Sequence, residues 1–422
     1  MIQVLKSAWA LLLGMGLLMI GNGMQGTLLG VRGQIEGFGT FEMSIVMSAY
    51  FVGFLGGSQM APGMIRRVGH VRVFAALASL ISAVLILYPT FAQVWVWTLG
   101  RVLIGFCFSA VYVTAESWLN NASTNENRGQ SLSLYMIVQT LGIVAAQGLM
   151  LAADPSGYVL FVIPSVLVSL AITPILLSIT PTPAFDTTKP MSLPRLARQS
   201  PLGCVGMFLL GGIFAAQFGM SSVYGTLAGL SVGQISTFVA LFFVGAVLTQ
   251  YPIGWLSDRM GRRILVIGVS TIGICGAVLG ILMGDDFAML LVAAFIVGGM
   301  SNPLYSLLIA HTNDFLDYDD MAAASGGLVF INGLGAITGP LITGWLMDQI
   351  GPPGFFMFIA MLFGALGGYA AYRNTRRNAV AVEETGSYVV LTPAATTAVG
   401  MEIAQEYAIE TDQQDADEQN AT

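Results

Sequence analysis

The sequence predicts an all-α membrane protein in which twelve transmembrane helices form two pseudo-symmetric six-helix halves. The first observation is composition: 55% of the 422 residues are hydrophobic and only 9% are charged, whereas a soluble domain has about 25% charged residues. The second observation is a series of long apolar runs, and the third is an internal repeat. Sixteen Lys and Arg residues are too few to solvate a chain of this size, which excludes a soluble multidomain protein.

Each apolar run has the roughly 18–25 residues that a helix needs to cross about 30 Å of hydrocarbon. We number the runs as spans 1 to 12: 7–29, 43–61, 73–92, 95–118, 131–152, 157–179, 202–225, 235–256, 264–283, 286–309, 323–346 and 355–372. Helices are required because lipid leaves no backbone group unpaired, and the runs are too long for barrel strands. The first run lacks a small-residue cleavage site, so we expect an uncleaved helix.

The basic residues predict the orientation. If the N-terminus is inside, fourteen of the sixteen bases fall in cytoplasmic segments. These are Lys6, Arg66, Arg67, Arg72, Arg128, Lys189, Arg195, Arg198, Arg259, Arg262, Arg263, Arg373, Arg376 and Arg377. Arg32 falls outside and Arg101 lies within span 4. This bias matches the positive-inside rule and predicts a multi-pass inner (plasma) membrane protein with both termini cytoplasmic.

Composition also predicts the domain boundaries. Residues 1–180 form the N-terminal six-helix half, 181–201 a proline-rich cytoplasmic linker, and 202–375 the C-terminal half. Residues 376–422 form an acidic tail, because 378–422 contain nine acids and no base. We expect this tail to be disordered in the cytoplasm, with docking of 401–410 as the alternative.

The two halves match at a nearly constant shift. With a shift of 192 residues, Gln25 matches Gln217, Arg67 matches Arg259 and Gly69 matches Gly261. At 193 residues, Gly105 matches Gly298 and Tyr112 matches Tyr305. A fixed shift that runs from the first helix of each half to the fifth indicates duplication of a six-helix unit.

Loop 254–263 is the strongest motif, with the pattern G-x-x-x-D-R-x-G-R-R. It closely resembles the loop between transmembrane helices 8 and 9 of the major facilitator superfamily. Stretches 65–74, 116–129, 303–313, 326–327 and 335–340 resemble the YcaD-like branch of that superfamily. The resemblance covers essentially 1–375 and implies the superfamily fold and transport by alternating access.

The resemblance also implies a cytoplasmic gate at this loop and at its first-half counterpart. The gate residues are Arg66, Arg67, Gly69, Gly254, Asp258, Arg259, Gly261 and Arg262. Gly254 permits close helix approach, and Asp258 can accept hydrogen bonds from a helix N-terminus. Arg259 and Arg262 can bridge the halves or bind lipid phosphate. The first loop departs from the pattern because Arg66 stands where the acid belongs, so it would need Glu116 or Glu126 as a partner. Plain positive-inside anchoring is the alternative.

Span 4 carries the charges that are most informative about mechanism. At about 100° per residue, Tyr112 and Glu116 fall within roughly 60° of Arg101, on one stripe. A charge at membrane depth indicates function by default. Gly100-Arg101-x-x-x-Gly105 resembles the helix-4 motif that the superfamily associates with proton coupling. We therefore expect Glu116 to carry a proton beside Arg101. In the alternative, Arg101 snorkels to the outer interface and Glu116 only caps a loop.

Neutral polar residues in other spans are candidates for the translocation pathway. Together with Arg101 and Tyr112, these are Asn22, Gln25, Gln139, Gln217, Tyr224, Asn302, Tyr305 and Asn332. In the superfamily, helices 1, 4, 7 and 10 line the cavity. Interhelical hydrogen bonding is the alternative role for each residue. An amide-rich and phenol-rich cavity with one base suits a small polar or amphipathic organic solute, anionic at one end.

The sequence thus predicts a secondary active transporter of a small organic solute, coupled to protons. The alternatives are drug or metabolite efflux by proton antiport, which the lack of proline in span 5 disfavours, and a non-transporting membrane sensor or scaffold. We expect a monomer whose partners are the solute, protons and the bilayer, with no cofactor, metal or nucleic acid. An enzyme is not expected because no nucleophile–base pair, phosphate loop or metal-ligand cluster appears.

Overall fold

The computed structural model of the protein describes residues 2–121, 123, 128–177, 191–376, 388, 391 and 397–406. Twelve of the helices in this part of the chain are long and apolar enough to cross a membrane. They are α1 Ile2–Ile35, α2 Thr40–Val68, α3 His70–Thr90, α4 Val94–Asn121, α5 Arg128–Leu149, α6 Val159–Leu177, α7 Pro201–Leu227, α8 Val232–Ser257, α9 Arg262–Met283, α10 Phe287–Asn313, α11 Tyr318–Ile350 and α12 Pro353–Asn374. The predicted number of spans is confirmed.

Because twelve helices alternate in direction, α1 begins and α12 ends at the same face, which we call the terminal face. The opposite face is the distal face. Two short helices lie at the terminal face: the linker helix Leu193–Gln199 and the tail helix 398–406. The linker helix is tied to the start of α11 by the Arg195–Asp320 ion pair, at 2.6 Å.

The packing of α1–α6 is repeated by α7–α12. In the first half α1 packs on α5 and α6, α2 on α4, and α3 on α4 and α6. In the second half α7 packs on α11 and α12, α8 on α10, and α9 on α10 and α12. This equivalence confirms two pseudo-symmetric six-helix halves.

Glycines permit equivalent close helix crossings in the two halves. A Cβ on Gly105 of α4 would collide with the backbone carbonyl of Tyr50 in α2, and a Cβ on Gly53 with that of Val102. The repeat-related Gly298 meets the carbonyl of Phe242 in the same way. Small residues permit such backbone contact between membrane helices. The crossings therefore fix α2 on α4, and α8 on α10.

The two halves meet directly near the distal face. Gly30 near the end of α1 leaves no space for a Cβ against Ser222 of α7. The Ser48 hydroxyl of α2 donates a hydrogen bond to the Ile337 carbonyl of α11 at 2.5 Å. These contacts, which we call the distal seal, close that side of the interface between the halves.

The described residues of the tail pack against the helices. Of its described residues, Thr397 and Met401 are fully buried, and Leu391 is 1% exposed. The nine acids of 378–422 dominate the composition of this region and hide the apolar pattern of 398–406. The alternative of a docked 401–410 segment fits the described residues 401–406, and residues 407–410 lie outside the described part of the chain.

The α2–α4 crossing leads to a stability prediction. We expect Gly105→Leu to lower the free energy of unfolding by about 3 kcal/mol, because the colliding atoms belong to the backbone and cannot repack. Thermal unfolding of purified protein in detergent measures the loss. Gly368→Leu is the matched control, since a Cβ there meets nothing within 4 Å. Equal unfolding temperatures for the two variants would contradict the role of the crossing.

Candidate functional site

Arg101 is fully buried between α4, α1 and α2. Its Nη1 donates to Gln25 Oε1 at 2.7 Å, and its guanidinium lies 4.7 Å from the centre of the Tyr50 ring. Its Nε has no hydrogen-bond partner, and none of the ion pairs among the described residues includes Arg101. The side chain does not snorkel to the outer interface, so that alternative does not fit the structure. Arg101 is a desolvated cation held by neutral groups, an arrangement that is costly without a functional reason.

A chain of hydrogen bonds extends from Arg101 toward the middle of α4. Gln25 Nε2 donates to Asn22 Oδ1 at 3.2 Å, and Asn22 Nδ2 donates to the Tyr112 hydroxyl at 2.8 Å. Tyr50 contacts the same amide at 3.4 Å. The structure thus brings together Asn22, Gln25, Arg101 and Tyr112 from the predicted set. We call these four residues and Tyr50 the Arg101 cluster.

The Arg101 cluster borders the interface with the second half. Arg101 Nη2 lies 3.6 Å from the sulfur of Met47, which also packs on Gly219 of α7. The Tyr50 ring is 5.8 Å from the ring of Phe218, also in α7. Separation of the halves at the distal face would therefore uncover this cluster.

The second half holds its predicted residues apart from one another. Gln217 lies in a five-residue π-helical segment of α7, Ala216–Met220, and exchanges hydrogen bonds with Ser301 at 3.0 and 3.1 Å. Such π-bulges are frequent at functional sites. Asn332 donates to the Met207 carbonyl at 2.9 Å, which is an interhelical bond. Tyr224 packs in an aromatic cluster with Phe238, Phe355 and Phe356, away from the other candidates.

A cavity of about 470 Å³ lies between α5 and α8. Its wall is mostly apolar, but Gln139, Gln250 and Asn302 also line it. Gln139 Nε2 and Gln250 Oε1 have no hydrogen-bond partner, although both residues are buried. Tyr251 and Leu141 at its edge are 79% and 62% exposed. The cavity thus opens sideways where the helices face lipid.

Glu116 lies near the terminal end of α4 and is 3% exposed. It forms no ion pair with a described base; the tail helix binds it instead. Its Oε2 accepts hydrogen bonds from the Gly400 amide at 3.0 Å and from the Thr397 hydroxyl. Tyr305 of α10 is buried as well. Arg101 and Glu116 therefore occupy opposite ends of one helix stripe and do not pair.

The second-half loop is anchored by an ion pair within its own half. Arg262 is buried, donates to the Ala310 carbonyl at 2.8 Å and pairs with the carboxylate of Asp314, whose side chain is only 3% exposed. These contacts of Arg262 tie α9 to α10 within the second half. Exposed Arg259 stacks on Trp255 at 4.2 Å, and exposed Asp258 ends α8.

Two gate glycines have distinct surroundings. Gly254 packs on the ring of Tyr388 in the tail, where a Cβ would come within 2.8 Å. Burial raises the pKa of the Tyr388 hydroxyl above its ordinary value, so the ring that covers Gly254 stays neutral. Gly261 precedes α9 with an ordinary backbone φ of −55° and has an open surrounding.

In the first-half loop, Gly69 joins α2 to α3 with φ +84°, a conformation that favours glycine. Arg66 and Arg67 are exposed. Of the two suggested acids, Glu116 binds the tail helix and Glu126 lies outside the described residues. Among the described residues no group of three or more His, Cys, Asp or Glu side chains is placed to hold a metal ion.

Three features of the site are not predicted by the sequence. Tyr50 is not among the predicted site residues, yet it forms the aromatic face beside Arg101. Asp314 belongs to no motif, although a buried base next to span 9 requires an acid. One feature of the sequence could have predicted the tail contacts: the spacing of apolar residues in 398–406 is that of a helix with one apolar face.

The fold and site define a polytopic membrane transporter with two six-helix halves. A sequence model of the Major Facilitator Superfamily matches residues 11–231 and 202–401. The chain belongs to the Major Facilitator Superfamily.

Relatives support the expected branch. The chain is 27% identical over 355 residues to the MFS-type transporter YcaD of Escherichia coli O45:K1, covering 83% of this chain and 91% of the relative. It is 27% identical over 325 residues to YcaD of Salmonella arizonae, covering 76% and 84%. The resemblance to the YcaD-like branch is confirmed.

Solved structures support the fold. The nucleoside transporter NupG superimposes with a TM-score of 0.71 at 13% identity, over 89% of this chain and 100% of NupG. A bacterial homologue of the human lysosomal transporter Spinster, inward-facing and unoccupied, gives 0.68 at 14%, over 96% and 98%.

The buried Arg262–Asp314 pair leads to a second prediction. We expect Asp314→Asn to destabilise the protein by about 3–5 kcal/mol, because it removes the carboxylate from a buried arginine. Thermal unfolding in detergent measures the change. The matched control is Asp320→Asn, since its partner Arg195 is 58% exposed and such pairs contribute about 0–1 kcal/mol. Similar losses in the two variants would contradict the structural role of the buried pair.

Proposed function

We propose that the chain is a secondary active transporter that moves a small amphipathic organic solute, anionic at one end, by alternating access of its two halves. The observation that carries the proposal is the buried Arg101, which has a free Nε donor and no counter-ion among the described residues. The terminal face is assigned to the cytoplasm by the positive-inside rule.

Arg101 supports an anionic group on the solute. A buried cation is strongly stabilised by a carboxylate or phosphate, and a planar guanidinium offers such a group several donors at once. Tyr50 and Met47, which cover Arg101, both contact α7 of the other half. Rocking that opens the distal seal would therefore present Arg101 to a solute. This makes a solute anion a natural counter-charge for the site.

The cavity between α5 and α8 supports an apolar part on the same solute. Its volume lies within the range of about 300–1,000 Å³ that is usual for small-molecule sites. The unpartnered atoms Gln139 Nε2 and Gln250 Oε1 would orient a polar atom of the solute in the apolar wall. An amphipathic solute fits both features better than a sugar or an inorganic ion.

Glu116 is the proposed proton carrier. Asp314, the other acid buried near the terminal face, is neutralised by Arg262. Glu116 has no such base among the described residues, and its oxygen accepts from groups that can leave with the tail. Proton binding and release at Glu116 can therefore be coupled to the terminal-face opening.

The gate residues retain their proposed roles with one change. Asp258, Arg259, Arg66 and Arg67 are exposed and are proposed to form contacts between the halves when the terminal face closes. Arg262 is proposed to stiffen the second half through Asp314. A scaffold without transport remains the second class of function, and it would show no solute flux in proteoliposomes. Proton antiport of drugs would show export of cations, which Arg101 disfavours.

The anion assignment can be tested with a matched ligand series. We expect octanoate to raise the unfolding temperature of the wild type more than octanol or octyltrimethylammonium does, because only the carboxylate can pair with Arg101. At a ligand concentration of 100 Kd the stabilisation is about 2.7 kcal/mol. Arg101→Gln should remove the octanoate shift, whereas Arg72→Gln, a control at an exposed base outside the gate, should keep it. A shift that survives in Arg101→Gln would refute the assignment.

The coupling assignment can be tested with a neutral amide. We expect Glu116→Gln to abolish the dependence of solute uptake on an imposed pH gradient in proteoliposomes, because the amide cannot bind or release the proton. The amide oxygen of this variant would still accept hydrogen bonds from Gly400 and Thr397, so tail docking should persist. Glu36→Gln, which removes an acid paired with Arg32 at the distal face, is the control. Coupling that is unchanged in Glu116→Gln would rule out this role.

A further inference from the structure

The tail connects the two halves at the terminal face. On the first half, Thr397 and Gly400 bind Glu116 of α4, and Glu406 pairs with Arg128 of α5 at 3.4 Å. On the second half, Gln405 donates to Asn313 Oδ1 of α10 at 3.2 Å and also contacts Ser325 of α11. Each of these contacts would have to change if the halves moved relative to each other.

An earlier part of the tail fills the same space. The Leu391 amide donates to the Ser306 hydroxyl at 2.9 Å, and that hydroxyl also contacts the Leu391 carbonyl. The Tyr388 hydroxyl accepts from Gln250 at 2.9 Å. The side chains of Ser306 and Gln250 belong to α10 and α8, so the tail occupies the interior side of the second half.

The fit is close enough to depend on side-chain size. A Cβ on Gly400 would lie 2.6 Å from Glu116 Oε1. Val113 of α4 is 1% exposed and lines a cavity together with Ala398 and Val399. The tail therefore covers the terminal-face wall of α4, which a solute would otherwise contact.

We propose that the tail, through residues 388, 391 and 397–406, is an autoinhibitory plug bound to Glu116. While seated, it excludes solute from the space between the halves at the terminal face. It also prevents the halves from closing there, which keeps the distal face sealed. Release of the tail is the step that permits alternation. This inference rests on the alternating access proposed above.

Two single-cysteine reporters test the plug without a known substrate. In a background that lacks Cys204 and Cys275, Val113→Cys reports the space under the tail, and Ser222→Cys reports the distal seal. Each is reacted with a membrane-impermeant maleimide in the full chain. Gly400→Leu, which collides with Glu116, should speed labelling of both reporters by about tenfold or more, as expected when a blocked state becomes populated. The isosteric Thr397→Val, which removes a hydrogen bond to Glu116, should have a smaller effect in the same direction.

Controls separate release of the plug from unfolding and from failure of transport. Gly368→Leu, in open space, should leave both labelling rates unchanged. Native Cys107, which is fully buried in α4, should stay unreactive in every variant. An unchanged rate at Val113 in Gly400→Leu would overturn tail occupancy. A faster rate at Val113 with an unchanged rate at Ser222 would overturn the restraint on alternation. Neither reading depends on solute flux, so absence of flux would count only against the transporter proposal.

Discussion

The glycine crossings of α2 with α4 and of α8 with α10 are the constraint on which the rest of the structure depends. At Gly105 and Gly298 the helices touch through backbone atoms, so neither pair can slide without breaking close contact. Each half is therefore a packed unit. Under the proposed alternating access, movement falls to the interface between the halves, where the close contact of Gly30 is with the side chain of Ser222 and not with a backbone carbonyl.

Arg101 and Glu116 lie on the same helix, α4, but near opposite faces of the membrane. Arg101 lies seven residues from the distal start of α4, and Glu116 five residues from its terminal end. Fifteen residues of helix separate them by about 22 Å, which explains why they do not pair. Arg101 lies beside Met47, which packs on α7 of the other half, whereas Glu116 accepts a hydrogen bond from the tail. One helix thus contacts both ends of the interface.

The sequence was sufficient for the architecture because hydrophobic length, basic residues and the repeat all depend on local composition. It also placed Asn22, Gln25, Arg101 and Tyr112 on facing helices, since a stripe on α4 follows from helix periodicity. It could not separate Tyr224 or Asn332 from pathway residues, because packing and solute contact use the same side chains. Glu116 was placed correctly in α4, but its partner comes from a segment whose acidic composition indicates disorder. Such contacts depend on tertiary structure that no local pattern encodes.

The repeat also shows how the halves have divided their polar interactions. Arg262 donates to the carbonyl of Ala310 in the second half. At the same repeat positions the first half has His70 and Ser117, whose side chains form a hydrogen bond of 3.0 Å. In turn, Ala294 and Ile309 stand at the repeat positions of Arg101 and Glu116.

The second half therefore uses its buried charges to join α9 to α10. The first half joins the equivalent helices with uncharged groups and carries two buried ionisable side chains, Arg101 and Glu116, that form no ion pair with a described residue. An ion pair that is neutralised within one half stabilises that half in every state, whereas an unpaired charge is free to take a counter-ion from solution. The asymmetry is the physical basis on which we propose solute and proton binding at the first half, whereas the buried ion pair stiffens the second half.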